Sequence, residues 1–327
     1  MKALALVSGG LDSMLAVKSV TSQGIEVIGF YFISIFNSET LDRSERIEII
    51  AKELNIEIKA INISKEHIDM VKNPAHGYGK NINPCIDCKI LMFKKTKEYM
   101  KDLGADFIIS GEVLGQRPMS QGRSNLKLIE RESGLEGFIL RPLSAKALDI
   151  TIPEEKKWID REKLLAIIGR SRKEQFRLAE IFNLKGFSSP AGGCLLTDPG
   201  FAKRARDLME HSCDFSVGDV RALKIGRHFR LSDSTKLIVG RNQQENFEID
   251  QFCNEETIKF IPVGTKGPIA VGFGEFDSGL ALLAGSILAR YCDEKINNIN
   301  INSVRKDKQT LLKVSPLAEG EIEKFRI

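Results

Sequence analysis

Two hydrophobic rhythms alternate through the first part of the chain. KALALV (2–7) is an unbroken apolar run of strand length, SGGLDS (8–13) interrupts it with two glycines, and LDSMLAVKSV resumes with Leu11, Met14, Leu15 and Lys18 at helical spacing. The pattern predicts strand, tight loop and helix. EVIGFYF (26–32) and IEIKAINI (56–63) read as strands, and LDRSERIEIIAKELN (41–55) between them as a helix with Ile47, Ile50, Ala51 and Leu54 on one face. DFIIS (106–110) is a further buried strand, preceded by the helical run KILMFKKTKEYMKDLG (89–104). Strands alternating with helices predict an α/β domain built on a doubly wound, mainly parallel sheet. Ligands of such sheets sit outside the carboxyl ends of the strands, so SGGLDS, the chain after Tyr31 and SGEVLGQ (110–116) should converge.

The rhythm changes after Pro199. FAKRARDLME (201–210) is a basic helix, and HFRL and KLIVGR alternate as antiparallel strands around SDST (232–235). GTKGPIAVGF (264–273) reads as loop and strand, SGLALLAGSILARYC (278–292) as a small-residue helix, and NINSVRKDKQTLLKV (300–314) as a basic strand and turn. The boundary is placed near residue 198, giving domains over 1–197 and 198–327, the second a smaller α+β unit.

At 327 residues, 42% hydrophobic and 28% charged, the chain has material for two cores. A net charge of +4 is too small to mark a nucleic-acid protein, so any basic surface must arise locally. No stretch approaches the roughly 20 apolar residues of a bilayer crossing, and MKALALVSGG has no A-x-A cleavage pattern. The expectation is a cytoplasmic protein with no membrane partner. Its six cysteines are then expected as thiols for metal binding or catalysis, not as disulfides.

SGGLDS suits a phosphate for identifiable reasons. Gly9 and Gly10 let backbone N–H groups approach an anion, the following helix adds its N-terminal dipole, and the Ser8 and Ser13 hydroxyls can donate to oxygens. Asp12 is the odd residue, since a carboxylate among phosphates makes sense chiefly as a Mg²⁺ ligand. The plain alternative is a glycine turn with Asp12 capping the helix; the position after the first strand of an α/β domain favours the phosphate.

SGGLDS resembles the SGGxDS signature of the PP-loop ATP pyrophosphatases, which cleave ATP to AMP and pyrophosphate and adenylate a substrate. It is not a GxxxxGK[ST] loop, which disfavours γ-phosphate transfer. SGEVLGQRPMSQ (110–121) resembles the second ATP-contacting segment of tRNA 4-thiouridine synthases, and LRPL (140–143) a segment they share with tRNA 2-thiouridine synthases. The likeness spans about residues 1–197. It implies an ATP and Mg²⁺ site drawn from Ser8, Gly9, Gly10, Asp12, Ser13, Gly111 and Gln116.

The same resemblance gives NINPCIDCK (81–89) a meaning. In 2-thiouridine synthases a catalytic cysteine follows the Pro of an Asn-Pro segment by four residues, the place of Cys88 after Pro84; Cys85 stands where those enzymes commonly have an acidic residue. A second family cysteine, in a Gly-rich loop, is matched by Cys194 in SSPAGGCLLTDP (188–199). Two mechanisms fit Cys85, Cys88 and Cys194. One thiolate can carry a persulfide that another resolves, which requires a lowered pKa beside a cation such as Lys89 or a helix N-terminus. Alternatively, three thiolates hold a [4Fe–4S] cluster with one iron left open for a hydrosulfide. The third cysteine favours the cluster, and the rhodanese domain of many bacterial 4-thiouridine synthases has no evident counterpart. Zinc, with His76 as a fourth ligand, stays open. Cys213, Cys253 and Cys292 have no paired spacing, and Cys292 is expected in a core.

In the C-terminal part, Lys224, Arg227, Arg230, Lys236 and Arg241 cluster along the predicted hairpin, a spacing expected to align cations on one face for RNA phosphates, with His228 and Phe229 offering a ring for stacking. A solvated β-face with scattered cations is the ordinary alternative. GRHFRLSDSTKLIVGRNQQEN also resembles the RNA-binding module of NFACT-type proteins, which implies tRNA as partner.

Together these resemblances imply a tRNA uridine thiolation enzyme, more 4-thiouridine than 2-thiouridine in type, with free sulfide or a cysteine desulfurase as sulfur donor. Lys89, Gln116 and Arg141 are candidates to stabilise developing negative charge. The rivals are a PP-loop ligase or amidotransferase using a nitrogen nucleophile, and a non-catalytic RNA-binding protein.

Overall fold

The computed structural model describes residues 1–38, 43–187, 193–294, 297–306 and 308–327. The chain divides into two compact units, Met1–Asp198 and Pro199–Ile327.

The first unit is α/β. Its strands β1 (Lys2–Leu6), β2 (Glu26–Ile33), β3 (Ile58–Asn62), β4 (Phe107–Ser110) and β5 (Ile139–Leu140) form one sheet in the order β3-β2-β1-β4-β5. All of its pairings are parallel. Around it lie helices α1 (Leu11–Thr21), α2 (Arg43–Leu54), α3 (Ser64–Lys72), α4 (Cys85–Met100), α5 (Arg123–Ser133), α6 (Ile152–Glu155) and α7 (Lys173–Ile181). Alternation along β1 explains the two-sided core. Ala3 and Ala5 join Met14, Leu15, Ile50 and Leu178 of α1, α2 and α7 in one cluster, whereas Leu4 and Leu6 join Ile90, Phe93 and Ile129 of α4 and α5 in another. Both faces are therefore apolar, which is why β1 reads as an unbroken run.

Strand order reverses between β1 and β4, so the crevice at their carboxyl ends is the topological switch point where doubly wound sheets bind ligands. SGGLDS leaves β1 there and SGEVLGQ leaves β4 there. The helix expected over 41–55 begins at Arg43, its first two residues lying outside the described ones. β5, with two residues, is too short to show any periodicity.

The second unit holds α8 (Pro199–His211), α9 (Val217–Ala222), β6 (Arg227–Ser232), β7 (Thr235–Val239), α10 (Gln243–Asp250), β8 (Ile258–Val263), β9 (Ala270–Phe273), α11 (Ser278–Ala289), β10 (Ile299–Arg305) and β11 (Lys308–Val314). Its strands make an antiparallel sheet in the order β11-β10-β8-β9-β7-β6. α11 packs Ala284, Ile287 and Leu288 against Phe229, Phe260 and Ile301, and Cys292 is buried in the same cluster. The segment 300–314 forms two strands where one was expected. β11 leaves Gln309, Thr310 and Leu311 all exposed, so it carries no inside-outside alternation to read. Among the described residues no helix is long and apolar enough to cross a membrane.

Candidate active site

The loop after β1 is closed by its own serines. Ser13 Oγ donates to Gly10 O at 2.8 Å and lies 3.3 Å from both the backbone N and the Oγ of Ser8. Gly9 has φ of +71°, a conformation that glycine adopts without strain. The loop delivers the chain into α1, which places Asp12 in the first turn. Asp12 Oδ2 accepts from Gln116 Nε2 at 2.8 Å and from Arg172 Nη2 at 3.3 Å, while Oδ1 is buried with no hydrogen-bond partner. A carboxylate oxygen shielded from water and left unpaired fits a hard divalent cation such as Mg²⁺.

Gly111, at the end of β4, lies against this loop; a Cβ there would stand 2.5 Å from the backbone N of Ser13. Arg46 of α2 approaches from the other side, its Nη2 donating to Gly9 O and its Nη1 to Gly186 O, both at 2.7 Å. Sequence reading missed Arg46 and Arg172. The only signal for the second is the basic run RSRK (170–173) that leads into α7.

Cys85 and Cys88 open α4, immediately after Pro84. Cys194 arrives from far along the chain, tied in by an antiparallel bridge to Asn37 and by Leu195 N donating to Phe36 O at 2.8 Å. Residues 188–192 of the Gly-rich loop lie outside the described residues. All three thiols are partly buried and lie within electrostatic reach of one another. Loss of water raises the Cys88 thiol to about 12, helped by the Cys194 and Cys85 charges and opposed by Lys89. Burial likewise raises Cys194 to about 11, against backbone donors at Leu196 and Thr197 and the Arg117 charge. Both shifts run opposite to the lowering that persulfide chemistry asks of at least one thiol. Such thiols stay protonated until a bound positive centre displaces their protons, and this soft, crowded set suits iron or zinc.

His76 does not join them through Nδ1, which is 3.0 Å from Asp87 Oδ1; Asp87 also accepts from the backbone N of Ala75 and His76. Among the described residues no three His, Cys, Asp or Glu side chains are arranged to hold a single metal ion.

The segment 111–121 links both places. Gly111 and Gln116 touch the glycine loop, Arg117 acts on Cys194, and Met119 Sδ lies 3.9 Å from Asn83 Nδ2, which in turn is 3.2 Å from Cys85 Sγ. The three candidates for charge stabilisation fare differently. Gln116 lies in the crevice, Lys89 stands 3.9 Å from Glu112, and Arg141 is buried, donating to Glu112 at 3.1 Å and to Glu130. Arg141 thus braces the β4–β5 side of the sheet through Nε and Nη1, while its Nη2 is buried with no hydrogen-bond partner.

The cations of the second unit also depart from expectation. Arg227 and Arg230 are three apart on a strand and so point to opposite faces. Arg227 lies over the Tyr291 ring at 4.5 Å and donates to Gly240 O. Arg230 pairs across the ladder with Lys236, and both engage Asp207 of α8, Arg230 through two bonds of 2.9 and 2.6 Å and Lys236 at 3.5 Å. Burial lowers the Lys236 pKa to about 8 despite that carboxylate. Arg241 forms an ion pair with Glu245, and Lys224 is half-buried. His228 and Phe229 are buried and offer no ring for stacking. These residues do not form one exposed cationic face.

Two family models match the chain. Residues 1–152 match thiamine biosynthesis protein (ThiI), and residues 226–326 match the NFACT protein RNA binding domain. A probable tRNA sulfurtransferase of Thermococcus kodakarensis is 31% identical over 144 residues, covering 43% of this chain and 36% of that protein. A tRNA-specific 2-thiouridylase MnmA of Helicobacter hepaticus is 28% identical over 160 residues, covering 46% and 44%. The chain thus spans less than half the length of these relatives. Among solved structures, a 4-thiouridine synthetase–RNA complex with bound ATP shares 22% identity at a TM-score of 0.38, covering 56% of this chain and 51% of that one.

Proposed function

We propose that this protein thiolates a uridine of tRNA, with 4-thiouridine as the product, by adenylating a uracil carbonyl at the glycine loop and replacing the activated oxygen with sulfur from the Cys85, Cys88 and Cys194 site. The observation that carries this reading is the segment 111–121, which reaches Asp12 at one end and the surroundings of Cys194 and Cys85 at the other. A nucleotide site and a thiol site joined by one loop serve a reaction in which activation and sulfur delivery occur on the same atom.

An amide-like carbonyl expels oxide poorly, whereas AMP is a competent leaving group, so one difficult substitution becomes two feasible ones. The uracil oxygen attacks the α-phosphate, and pyrophosphate departs with the electron pair of the broken P–O bond. Hydrosulfide then adds to the activated carbon, loses its proton, and AMP leaves with the former carbonyl oxygen. In this reading Asp12 ligates Mg²⁺ through Oδ1, backbone N–H groups at the start of α1 meet the phosphates, and Gln116 orients Asp12. A [4Fe–4S] cluster held by the three thiolates would supply an iron without a protein ligand, able to carry hydrosulfide. The third thiol beside Cys88 and Cys194, which simple persulfide exchange does not need, favours this over persulfide exchange.

The match of residues 1–152 supports the 4-thiouridine product, and that of residues 226–326 supports RNA binding by the second unit. The placement of Cys88 after Pro84 and the thiouridylase relative favour 2-thiouridine as the second reading. The test is oxygen-free reconstitution with unmodified tRNA, MgATP and sulfide, followed by mass analysis of the digested tRNA. 4-Thiouridine with matching AMP is expected. AMP formation driven by a small acid without RNA would move the protein to the nitrogen-nucleophile ligases, and RNA binding without AMP would make it a non-catalytic binder.

A further inference from the structure

Arg172 caps α7, 160 residues from Asp12 in sequence, yet its Nη2 lies 3.3 Å from Asp12 Oδ2. Both side chains are 18% exposed. The pairing is half used. An arginine–carboxylate pair at full strength makes two parallel bonds, but here Asp12 Oδ1 and Arg172 Nε are each buried without a partner. Gln175, fully buried within the first turn of α7, donates through Nε2 to Gln116 Oε1 at 3.2 Å and leaves its own Oε1 unpaired. A buried polar atom without a partner is costly, and three surround this one ion pair.

Each open atom has a complement in a metal–triphosphate. The free guanidinium N–H suits a phosphate oxygen, and the free carboxylate oxygen suits the metal. With Arg172 on it, however, Asp12 is already half neutralised and a poorer cation ligand. We propose that Arg172 is an exchangeable counter-ion: it holds Asp12 while the crevice is empty and transfers to the phosphates of an incoming nucleoside triphosphate, which releases Asp12 to the divalent cation. This inference rests on the reading of the glycine loop as a triphosphate site. Arg172 is then a positioning residue for the metal as well as a ligand for the nucleotide, and by linkage each of the two ligands promotes the other.

A strut and an exchanging counter-ion predict different signs. Removing a strut weakens metal and nucleotide binding alike. Removing Arg172 from an exchanging pair frees Asp12, so the metal alone binds more tightly, while nucleotide without metal loses its cation and binds more weakly.

The experiment uses the full chain and measures Mn²⁺ binding without nucleotide by electron paramagnetic resonance, and ATP binding in the presence of EDTA by calorimetry. In Arg172→Gln, Mn²⁺ affinity is expected to rise about five- to tenfold and metal-free ATP affinity to fall by a similar factor. Arg172→Met keeps the stem near the Phe176 ring, 5.9 Å from the guanidinium carbon, and serves as a second variant with the same two signs. Loss of both affinities, or unchanged Mn²⁺ binding, would overturn the exchange. Asp12→Asn separates the two levels of argument. If it leaves binding of Mn²⁺ with ATP intact, Asp12 is not the metal ligand and the metal–triphosphate reading of this crevice fails; if it abolishes that binding while the Arg172 variants show no opposed shifts, only the exchange fails.

Discussion

Gly111 stands so close to Ser13 that a Cβ on it would lie 2.5 Å from the Ser13 backbone nitrogen. The loops after β1 and β4 therefore touch backbone to backbone, which no side chain rearrangement can relieve. Gly111→Ala should push them apart at a cost on the order of 1–3 kcal/mol. Calorimetry with a non-hydrolysable ATP analogue and a thermal melt should show weakened nucleotide binding with a modestly lower midpoint. Unchanged affinity would mean that this contact does not shape the nucleotide site.

The Cys88 and Cys194 thiols, raised to about 12 and 11, contribute to the pH behaviour of the metal-free protein. Below the ordinary value of 9.0 both folded and unfolded chains keep these protons; between there and the folded values only the unfolded chain releases them, so their contribution to stability should fall as pH rises through that window, opposed up to the ordinary lysine value by Lys236, lowered to about 8; Lys236→Met should expose the fall. Iodoacetamide at pH 8 should modify exposed Cys213 well before Cys88, and the Cys88 rate should still climb above pH 9. A Cys88 rate that levels off near neutrality would point back to persulfide chemistry. Metal or cluster loading should release protons and strengthen with pH.

Asp207 neutralises Arg230 and Lys236 together in a largely enclosed site. Asp207→Ala strands both cations, and breaking a buried pair costs about 3–5 kcal/mol, less here because Arg230 keeps some water contact. The melting midpoint should drop accordingly. Arg230→Ala should change tRNA affinity less than about threefold and leave the slope of log K against log salt unaltered. A slope reduced by about one would show that Arg230 leaves Asp207 to contact a phosphate.

Protein purified without oxygen should be brown and contain iron and acid-labile sulfide. Cys88→Ala should lose the iron and the thiolation while binding ATP as before, since the glycine loop is braced by Ser8, Ser13, Arg46 and Gln116. A colourless, zinc-loaded protein that thiolates fully would eliminate the cluster.

The sheet of the first unit was legible because its parallel strands β1 and β2, covered on both faces, are apolar after their first residue, and because a glycine loop between β1 and α1 marks a carboxyl-end crevice. The segments carrying Asp12, Gly111 and Gln116 were legible as motifs. Arg46 and Arg172 were not, because each reaches the glycine loop by tertiary packing from a helix remote in sequence. The hairpin cations misled for a plainer reason. Charge spacing says nothing about partners, and Asp207 sits on a helix whose docking against the strands no local pattern predicts. The period of two along β6 does separate Arg227 from Arg230, a signal that counting charges overlooks.

The proposal that nucleotide and thiols serve one site is tested most directly by following one sulfur atom. Protein loaded without oxygen with radiolabelled sulfide, then freed of excess, is mixed with tRNA in the presence or absence of MgATP. The label should move onto tRNA only with MgATP, and in neither Cys194→Ala nor Asp12→Ala. Transfer without nucleotide, or full transfer in Cys194→Ala, would contradict the account.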